Sequence, residues 1–140
     1  MNLLFLCTGN TCRSPVAKIL GEKMADERGL DVSIRSRGFA AIDGEGMSRG
    51  SLAVLAQEGI DGSFHRAKTV GEEDLTWAHR IYTMTQGQKA ILERKLPQYR
   101  DKIFLLGEED IADPIGGGME EYRAMFQQME GALEELLDNL

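Results

Sequence analysis

The sequence predicts an α/β fold, a single-domain doubly wound sheet of four parallel strands with helices on both faces. Two observations predict it. Short apolar runs, such as residues 3–6 and 81–84, alternate with longer segments of helical spacing. Strands that alternate with helices favour a parallel sheet with right-handed crossovers. The chain has 140 residues, enough for one domain over residues 1–140 with a sizeable core.

The first part of the chain predicts a strand, a helix and a second strand. The apolar run that opens the chain, residues 3–7, reads as a buried strand. Ser14 as N-cap and Pro15 in the first turn begin the following helix, and Gly29 is its natural stop. Residues 32–37 then alternate between apolar and polar side chains, which predicts the second strand.

The middle of the chain predicts loops around one helix. Residues 38–46 contain glycines without a clear period and predict a loop, in which Phe39 or Ile42 could wall a pocket. A second helix follows and ends at Gly59. The polar, irregular stretch 61–74 has room for one short helix at most.

The last part of the chain completes the sheet. Strands are predicted at residues 81–84 and 103–106, with a helix at 86–95 between them. Apolar residues spaced three and four apart from 119 to 140 predict a long amphipathic helix that packs on the sheet. Doubly wound sheets bind ligands beyond the carboxyl ends of their strands, at the switch point, and Cys7 falls where that rule places a ligand.

The segment CTGNTCRSP, residues 7–15, predicts an anion-binding loop. Backbone N–H groups of such a loop and of the helix that follows point at a bound anion. Arg13, separated from Cys7 by five residues, can hold two oxygens of one tetrahedral oxyanion in a bidentate fork. The same positive surroundings favour the thiolate of Cys7, a nucleophile poised on phosphorus. The predicted phosphate-binding residues are Thr8, Gly9, Asn10, Thr11, Cys12 and Arg13. A chance cysteine in a strand–helix turn is the alternative, which this combination of residues argues against.

Asp113 is the predicted general acid. Pro114 holds it in an extended conformation, and the glycines at 116–118 let the backbone turn close to a ligand. Asp113 would give a proton to the leaving group and later take one from water. Acidic neighbours at 108–110 leave an acidic surface loop as the alternative, and Asp110 is the candidate acid if Asp113 is not.

Composition and spacing exclude several other functions. Sixteen basic and 23 acidic residues give a net charge of −7, which repels nucleic acid and anionic membranes. No apolar run approaches the length of a membrane span, and no basic leader or cleavage signal precedes the first strand, so we expect a cytoplasmic protein. Two cysteines and two histidines lack metal-site spacing, and no nucleotide-binding glycine motif occurs. No metal and no cofactor are therefore expected.

Together the motifs resemble those of the low-molecular-weight protein tyrosine phosphatase family. The loop Cys7–Arg13 matches its signature, and three further segments follow in the family's order over nearly the whole chain. These segments are Ser36-Arg37-Gly38, like its serine-alanine-glycine turn, His65-Arg66-Ala67, like its histidine turn, and Asp113-Pro114 with the following glycines, like its acid loop. Arg37 stands where the family has alanine, which is a departure beside the pocket.

Within the family, the loop is more similar to the bacterial protein arginine phosphatase branch. Thr8 and Thr11 stand where tyrosine-specific members carry larger apolar residues, and Met84-Thr85 stands where they carry methionine-aspartate. With Ile115 in place of an aromatic pair, these threonines offer little surface for a phenyl ring and suit a phosphoarginine guanidinium. By resemblance, Thr11 is the specificity position. The predicted partners are phosphorylated proteins.

Three alternatives accompany the phosphoarginine prediction. Phosphotyrosine hydrolysis by the same mechanism is one, and a phosphoprotein-binding module without turnover is a remote second, since Cys7, Arg13 and Asp113 are all intact. An arsenate reductase is the third, and it requires further redox cysteines, none of which follows Cys12. Nothing in the sequence indicates an oligomeric state.

The resemblance also implies supporting roles for residues around the loop. It implies a buried polar network that holds the loop in shape, made of Asn10, Ser14, Ser36 and His65. Cys12 is either a small packing residue or a redox partner, and the resemblance favours the second. An oxidised Cys7 would then form a disulfide with Cys12 and escape irreversible oxidation.

Overall fold

A four-stranded parallel sheet lies at the centre of the computed structural model, which describes residues 1–140. Its strands are β1 (Asn2–Cys7), β2 (Ser33–Gly38), β3 (Arg80–Thr83) and β4 (Ile103–Leu105). They lie in the order β2-β1-β3-β4, and every neighbouring pair is parallel. The predicted fold class is confirmed. Winding reverses between β1 and β3, which puts the switch point at the end of β1, next to Cys7.

Five α-helices and one 3₁₀ helix connect the strands. The α-helices are α1 (Arg13–Glu27), α2 (Arg49–Gln57), α3 (Glu72–Trp77), α4 (Gln86–Lys95) and α5 (Met119–Asp138). The 3₁₀ helix spans Pro97–Lys102, after α4. The predicted bounds of α4 agree with the structure. α1 ends at Glu27, and Gly29, two residues further, has a φ of 66°, the left-handed conformation usual after a helix end.

Two apolar clusters cover the two faces of the sheet. Leu3, Phe5 and Cys7 of β1 point into the larger cluster, with apolar side chains of α1, α2 and α5. Leu4 and Leu6 point the other way, into a smaller cluster that receives Leu75 of α3 and Leu92 of α4. This alternation buries β1 on both faces, as expected of a central parallel strand.

The start of α1 differs from the sequence prediction. The helix begins at Arg13 with Cys12 at the N-cap position, so the prediction of Ser14 as N-cap is wrong. The Ser14 hydroxyl lies within hydrogen-bonding distance of Cys7 and accepts a hydrogen bond from Asn10, and it caps no backbone N–H. Contacts with other residues of the same loop therefore occupy a hydroxyl that the local pattern assigns to a cap.

Two further predictions concern the loops. The irregular stretch was predicted to end at residue 74. The short helix α3 begins within it and continues past that residue, to Trp77. The loop after β2 was predicted to supply Phe39 or Ile42 to the wall of a pocket, and Phe39, half-buried beside Thr8, lines a groove there. Ile42 is exposed and lines no part of that groove.

Candidate active site

The loop between Cys7 and Arg13 turns sharply at Asn10. Asn10 is fully buried and has a φ of 56°, the only non-glycine residue of the chain with a positive φ. This left-handed conformation costs on the order of 1 kcal/mol and persists only where surrounding contacts hold it. Asparagine tolerates it better than most residues. The turn brings the end of β1 back to the beginning of α1.

Hydrogen bonds from four directions hold Asn10 in this conformation. Its Nδ2 donates to Ser14 Oγ at 2.8 Å and to Ser36 Oγ at 3.1 Å. Its Oδ1 accepts from the Lys68 backbone N–H at 3.0 Å, and its carbonyl oxygen lies 2.7 Å from His65 Nε2. The structure thus brings together Asn10, Ser14, Ser36 and His65, the four residues of the predicted network.

His65 supports the loop as a neutral imidazole. A carbonyl oxygen only accepts, so Nε2 of His65 carries the proton and donates to Asn10. Burial lowers the pKa of His65, and the positive charges of Lys18, Arg66 and Arg37 lower it further. The bond to Asn10 raises the pKa without reversing the shift. His65 therefore stays uncharged at neutral pH.

Cys7 is buried at the carboxyl end of β1, with its sulfur against the first turn of α1. Its Sγ accepts a hydrogen bond from the Ser14 backbone N–H at 3.4 Å and lies 2.9 Å from Ser14 Oγ. A thiolate only accepts hydrogen bonds, so in the thiolate state the Ser14 hydroxyl donates to it. The backbone N–H and the hydroxyl of Ser14 therefore both face the sulfur of the predicted nucleophile.

Arg13 connects the loop to the segment that carries Asp113. Its guanidinium is buried, and Nη1 donates to the Ile111 carbonyl at 3.0 Å. Nη2 lies 3.7 Å from Asp113 Oδ2, while Oδ1 of the same carboxylate accepts from the Ile115 backbone N–H at 3.1 Å. Asp113 is therefore exposed yet oriented, with one oxygen turned towards the arginine of the loop.

Asp110, the rival acid, has a different task. Its Oδ1 accepts from the Gln86 backbone N–H at 2.8 Å, at the first residue of α4. Backbone N–H groups in the first turn of a helix lack partners within the helix, and an acidic side chain satisfies one of them. The geometry makes Asp110 a structural residue and leaves Asp113 as the carboxylate that faces Arg13.

The residues predicted to determine specificity differ in their surroundings. Thr8 is exposed, and its Oγ1 accepts from Gln88 Nε2 at 3.3 Å. Thr11 is half-buried, and the one side-chain contact of its hydroxyl is a weak one, 3.9 Å to Cys12 Sγ. Ile115 is 66% exposed. Thr11 thus has the hydroxyl that is least engaged.

Cys12 is buried in the larger apolar cluster, and its Sγ lies 3.9 Å from the hydroxyl of Tyr122. Both cysteines are free thiols in the structure.

Arg37, the departure from the family pattern, forms an ion pair away from the loop. Its Nε lies 3.2 Å from Asp74 Oδ2, and Arg35 Nη1 lies 3.1 Å from Asp74 Oδ1. Burial raises the pKa of the Asp74 carboxyl. The Gly71 N–H bond and the two arginines outweigh burial and hold that pKa below its usual range. The Arg37 charge is therefore neutralised by a buried partner that the sequence analysis did not find.

Two serines of the next helix hold the other side of the loop, and the sequence analysis missed both. Ser51 Oγ donates to the Cys12 carbonyl at 3.1 Å, and the Ser48 backbone N–H donates to the Thr11 carbonyl at 2.9 Å. Ser48 is also the N-cap of α2, which was the only signal available in the sequence. No local sequence pattern predicts the hydrogen bond from Ser51 to Cys12, because the two residues are 39 positions apart.

No group of three or more His, Cys, Asp or Glu side chains is placed to hold a metal ion. None of the helices combines the length and the apolar character that crossing a membrane requires.

The Cys7 thiol lies at the end of the central strand, and Arg13 opens the next helix. Cysteine-dependent phosphatases combine these two groups in their active sites, and this chain is one of them. The family model described as low molecular weight phosphotyrosine protein phosphatase matches residues 2–140, so the chain belongs to that family. The resemblance found in the sequence is confirmed.

The similar proteins include some named as arginine phosphatases and some named as tyrosine phosphatases. A protein-arginine-phosphatase of Geobacillus stearothermophilus is 36% identical, with 99% of this chain and 95% of the relative covered. A low molecular weight protein-tyrosine-phosphatase, PtpB, of Staphylococcus haemolyticus is 37% identical, with 99% of both covered. A solved structure of the YwlE arginine phosphatase, a cysteine-to-serine mutant with a phosphorylated active-site serine, has a TM-score of 0.95. It is 32% identical and covers 100% of this chain and 95% of its own.

Proposed function

We propose that this phosphatase hydrolyses phosphoarginine residues of proteins through a phosphocysteine formed on Cys7. The position of Arg13 is the observation that supports the proposed mechanism. Its buried guanidinium opens the helix behind the Cys7 loop and stands 3.7 Å from the Asp113 carboxylate. Arg13 therefore lies next to the loop of the predicted nucleophile and next to the predicted acid, where it can also bind the phosphoryl group of the substrate.

Binding of the phosphoryl group falls to the loop and to Arg13. Arg13 has five N–H donors, and the structure uses one of them in a hydrogen bond, on the Ile111 carbonyl. The remaining donors and the backbone N–H groups of residues 8–13 suit the three equatorial oxygens of a phosphoryl group. Asn10 and its four bonded partners keep those N–H groups in place before the substrate arrives.

Chemistry proceeds in two displacements at phosphorus. The Cys7 thiolate forms a bond to phosphorus while the bond from phosphorus to the guanidine nitrogen breaks, and Asp113 gives its proton to that nitrogen. Water then attacks the phosphocysteine, Asp113 takes a proton from the water, and the bond between sulfur and phosphorus breaks. Phosphate leaves, and the Ser14 hydroxyl and backbone N–H stabilise the thiolate that returns.

Preference for phosphoarginine rests on Thr11. Its hydroxyl makes only the 3.9 Å contact with Cys12 and can accept a hydrogen bond from the N–H groups of a substrate guanidinium. The relative named as a protein-arginine-phosphatase, 36% identical over nearly the full chain, supports the same choice.

Phosphotyrosine is the second candidate substrate, and one observation favours it. Ile115, 66% exposed two residues after Asp113, offers an apolar surface on which a phenol ring could rest. The relative named PtpB supports this alternative.

A side-by-side assay decides between the two substrates. Matched peptides that differ only in carrying phosphoarginine or phosphotyrosine are compared by phosphate release. We expect the larger kcat/KM for phosphoarginine, and a larger value for phosphotyrosine contradicts the proposal. A module that binds without turnover would release no phosphate from either peptide or from a generic aryl phosphate.

We also propose a cytoplasmic location for this activity, with phosphorylated proteins as partners. A thiolate nucleophile works only while it is reduced, and both cysteines are free in the structure. The reducing cytoplasm keeps such thiols active.

A further inference from the structure

A groove beside the phosphate loop takes no part in the chemistry described above. It has a volume of about 440 Å³ and lies between Thr8, the residues that follow β2, and helix α4. Neither Thr11 nor Asp113 nor Ile115 lines it. Its walls are mostly apolar and are formed by Phe39, Val70, Ile91, Leu92 and Leu96.

The groove has a fixed position relative to Cys7. The Phe39 backbone N–H donates to the Cys7 carbonyl at 3.0 Å, and the Val70 N–H donates to the Gly38 carbonyl at 2.9 Å. The side chains of Phe39, Val70 and Leu96 pack on the smaller apolar cluster, which contains Leu92. A groove whose lining residues are tied to β1 and β2 by these backbone hydrogen bonds is preorganised and needs little ordering when a ligand binds.

Ile91 forms the outer wall and remains 43% exposed. At the end of the groove next to the Cys7 loop, Gln88 of α4 donates a hydrogen bond to Thr8 Oγ1. Lys95 is an exposed part of the lining and brings the only formal charge among the lining residues. The groove therefore suits an apolar side chain and disfavours a cationic one.

We propose that this groove binds an apolar side chain of the protein substrate, within a few positions of the phosphorylated residue. The inference rests on the proposed function. Its occupant follows from continuity, because Thr8 belongs both to the groove and to the loop predicted to hold the phosphoryl group. An extended substrate segment advances about 3.3 Å per residue, so a residue one to three positions away can reach a site adjoining the loop. A cavity of this volume accepts a leucine or phenylalanine side chain.

The test uses two peptide series, one with phosphoarginine and one with phosphotyrosine, in a glycine-serine background. Leucine is moved through the three positions on each side of the phosphorylated residue, and kcat/KM is compared with the glycine parent. We expect one or two positions at which leucine raises kcat/KM by about tenfold in the wild-type protein. The substitution Ile91→Ser should reduce that ratio to about threefold or less, and comparison within one variant cancels any change in the folded fraction.

Leu30→Ser is the matched control, because Leu30 is another exposed apolar residue and precedes β2 at the sheet edge opposite Cys7. It should keep the wild-type ratio. Equal kcat/KM for all leucine positions, or an unchanged ratio in Ile91→Ser, overturns the groove and leaves the proposed function standing. A leucine preference confined to the phosphotyrosine series overturns phosphoarginine as the substrate and supports the groove. No turnover in either series overturns both.

Discussion

The guanidinium of Arg13 faces the carboxylate of Asp113 across 3.7 Å, although one residue opens the first helix and the other precedes the last. This separation is an ion pair without a close hydrogen bond. A phosphoryl group in the loop brings its own negative charge to Arg13 and repels the carboxylate of Asp113. The guanidinium of Arg13 is therefore within reach of both the loop proposed to hold the phosphoryl group and the carboxylate proposed as the general acid.

The first prediction concerns the leaving group. Asp113→Asn should reduce turnover of aryl phosphates with poor leaving groups by about 10² to 10⁴, and of those with good leaving groups far less, because only a poor leaving group needs the proton. The measurement is kcat across a series of aryl phosphates of graded leaving-group basicity.

Asp110→Asn is the control for that series. Its carboxylate contacts the Gln86 backbone N–H, so this variant should show a small loss of thermal stability and the wild-type dependence on the leaving group. If Asp110→Asn shows the steep dependence and Asp113→Asn does not, the two aspartates have been assigned the wrong roles.

The second prediction concerns the nucleophile. Cys7→Ser should lower turnover by about 10⁴-fold or more, because a serine hydroxyl is protonated at neutral pH and a poor nucleophile without a base. The loop N–H groups and Arg13 remain, so the variant should stay folded and bind inorganic phosphate, as measured by NMR titration. Turnover close to that of the wild-type protein would rule out Cys7 as the nucleophile.

The sheet was predictable because its signals are local. The first strand is a continuous apolar run, and the structure buries Leu3 and Leu4 on opposite faces of the sheet. The beginning of α1 was not predictable from local pattern, since the Ser14 side chain bonds to Asn10 and contacts Cys7 instead of capping the helix. Cap propensity describes a side chain that is free to bond its own helix, and here the turn of the loop supplies Ser14 with other partners.

The same distinction applies to the candidate site. Cys7 and Arg13 were found together because six positions of chain connect them through one loop. The salt bridge from Arg37 to Asp74 and the hydrogen bond from Ser51 to Cys12 join segments that are far apart in the sequence and meet only in the folded chain. Neither has a sequence period or motif, so the sequence alone predicts neither.

The third prediction concerns pH and stability. The pKa of His65 is lowered on folding, so the unfolded chain binds a proton at a higher pH than the folded protein does. The contribution of His65 is therefore fully present above the ordinary imidazole pKa, about 6.5, and is lost as the pH falls below it. His65→Gln keeps an N–H donor for the Asn10 carbonyl and does not titrate.

Chemical denaturation at several pH values measures this contribution. Between about pH 7.5 and 5.5 the wild-type free energy of unfolding should fall by on the order of 1 kcal/mol more than that of His65→Gln. Parallel curves for the two proteins would show that His65 is not buried in the neutral form. Carboxylates titrate alike in both proteins, so their contribution cancels.

The fourth prediction concerns oxidation. One equivalent of peroxide oxidises the Cys7 thiolate to a sulfenic acid, and attack by the Cys12 thiol releases water and forms a disulfide. Dithiothreitol should then restore activity to the wild-type protein. Cys12→Ser should keep its activity before oxidation and fail to recover afterwards, because Cys7 then proceeds to irreversible acids. Peptide mass spectrometry of the inactivated wild-type protein should show the bond between Cys7 and Cys12, and its absence would contradict a redox role for Cys12.

The fifth prediction concerns the choice between phosphoarginine and phosphotyrosine. Thr11→Ile should shift preference towards phosphotyrosine, because it replaces a hydroxyl that can bond a guanidinium with an apolar surface suited to a phenol ring. Exchanging one polar contact for one apolar contact changes the ratio of the two kcat/KM values by about 10- to 200-fold.

Thr11→Ser is the matched control for that substitution, since it keeps the hydroxyl and should keep the wild-type ratio. The backbone of residue 11 is held by Ser48 through its carbonyl, so neither variant should disturb the shape of the loop. Hydrolysis of a generic aryl phosphate should therefore continue in both. If the wild-type protein already prefers phosphotyrosine, or if Thr11→Ile leaves the ratio unchanged, the Thr11 hydroxyl does not select the substrate. The exposed surface of Ile115 then becomes the feature to test, because it is the remaining apolar contact for a ring beside Asp113.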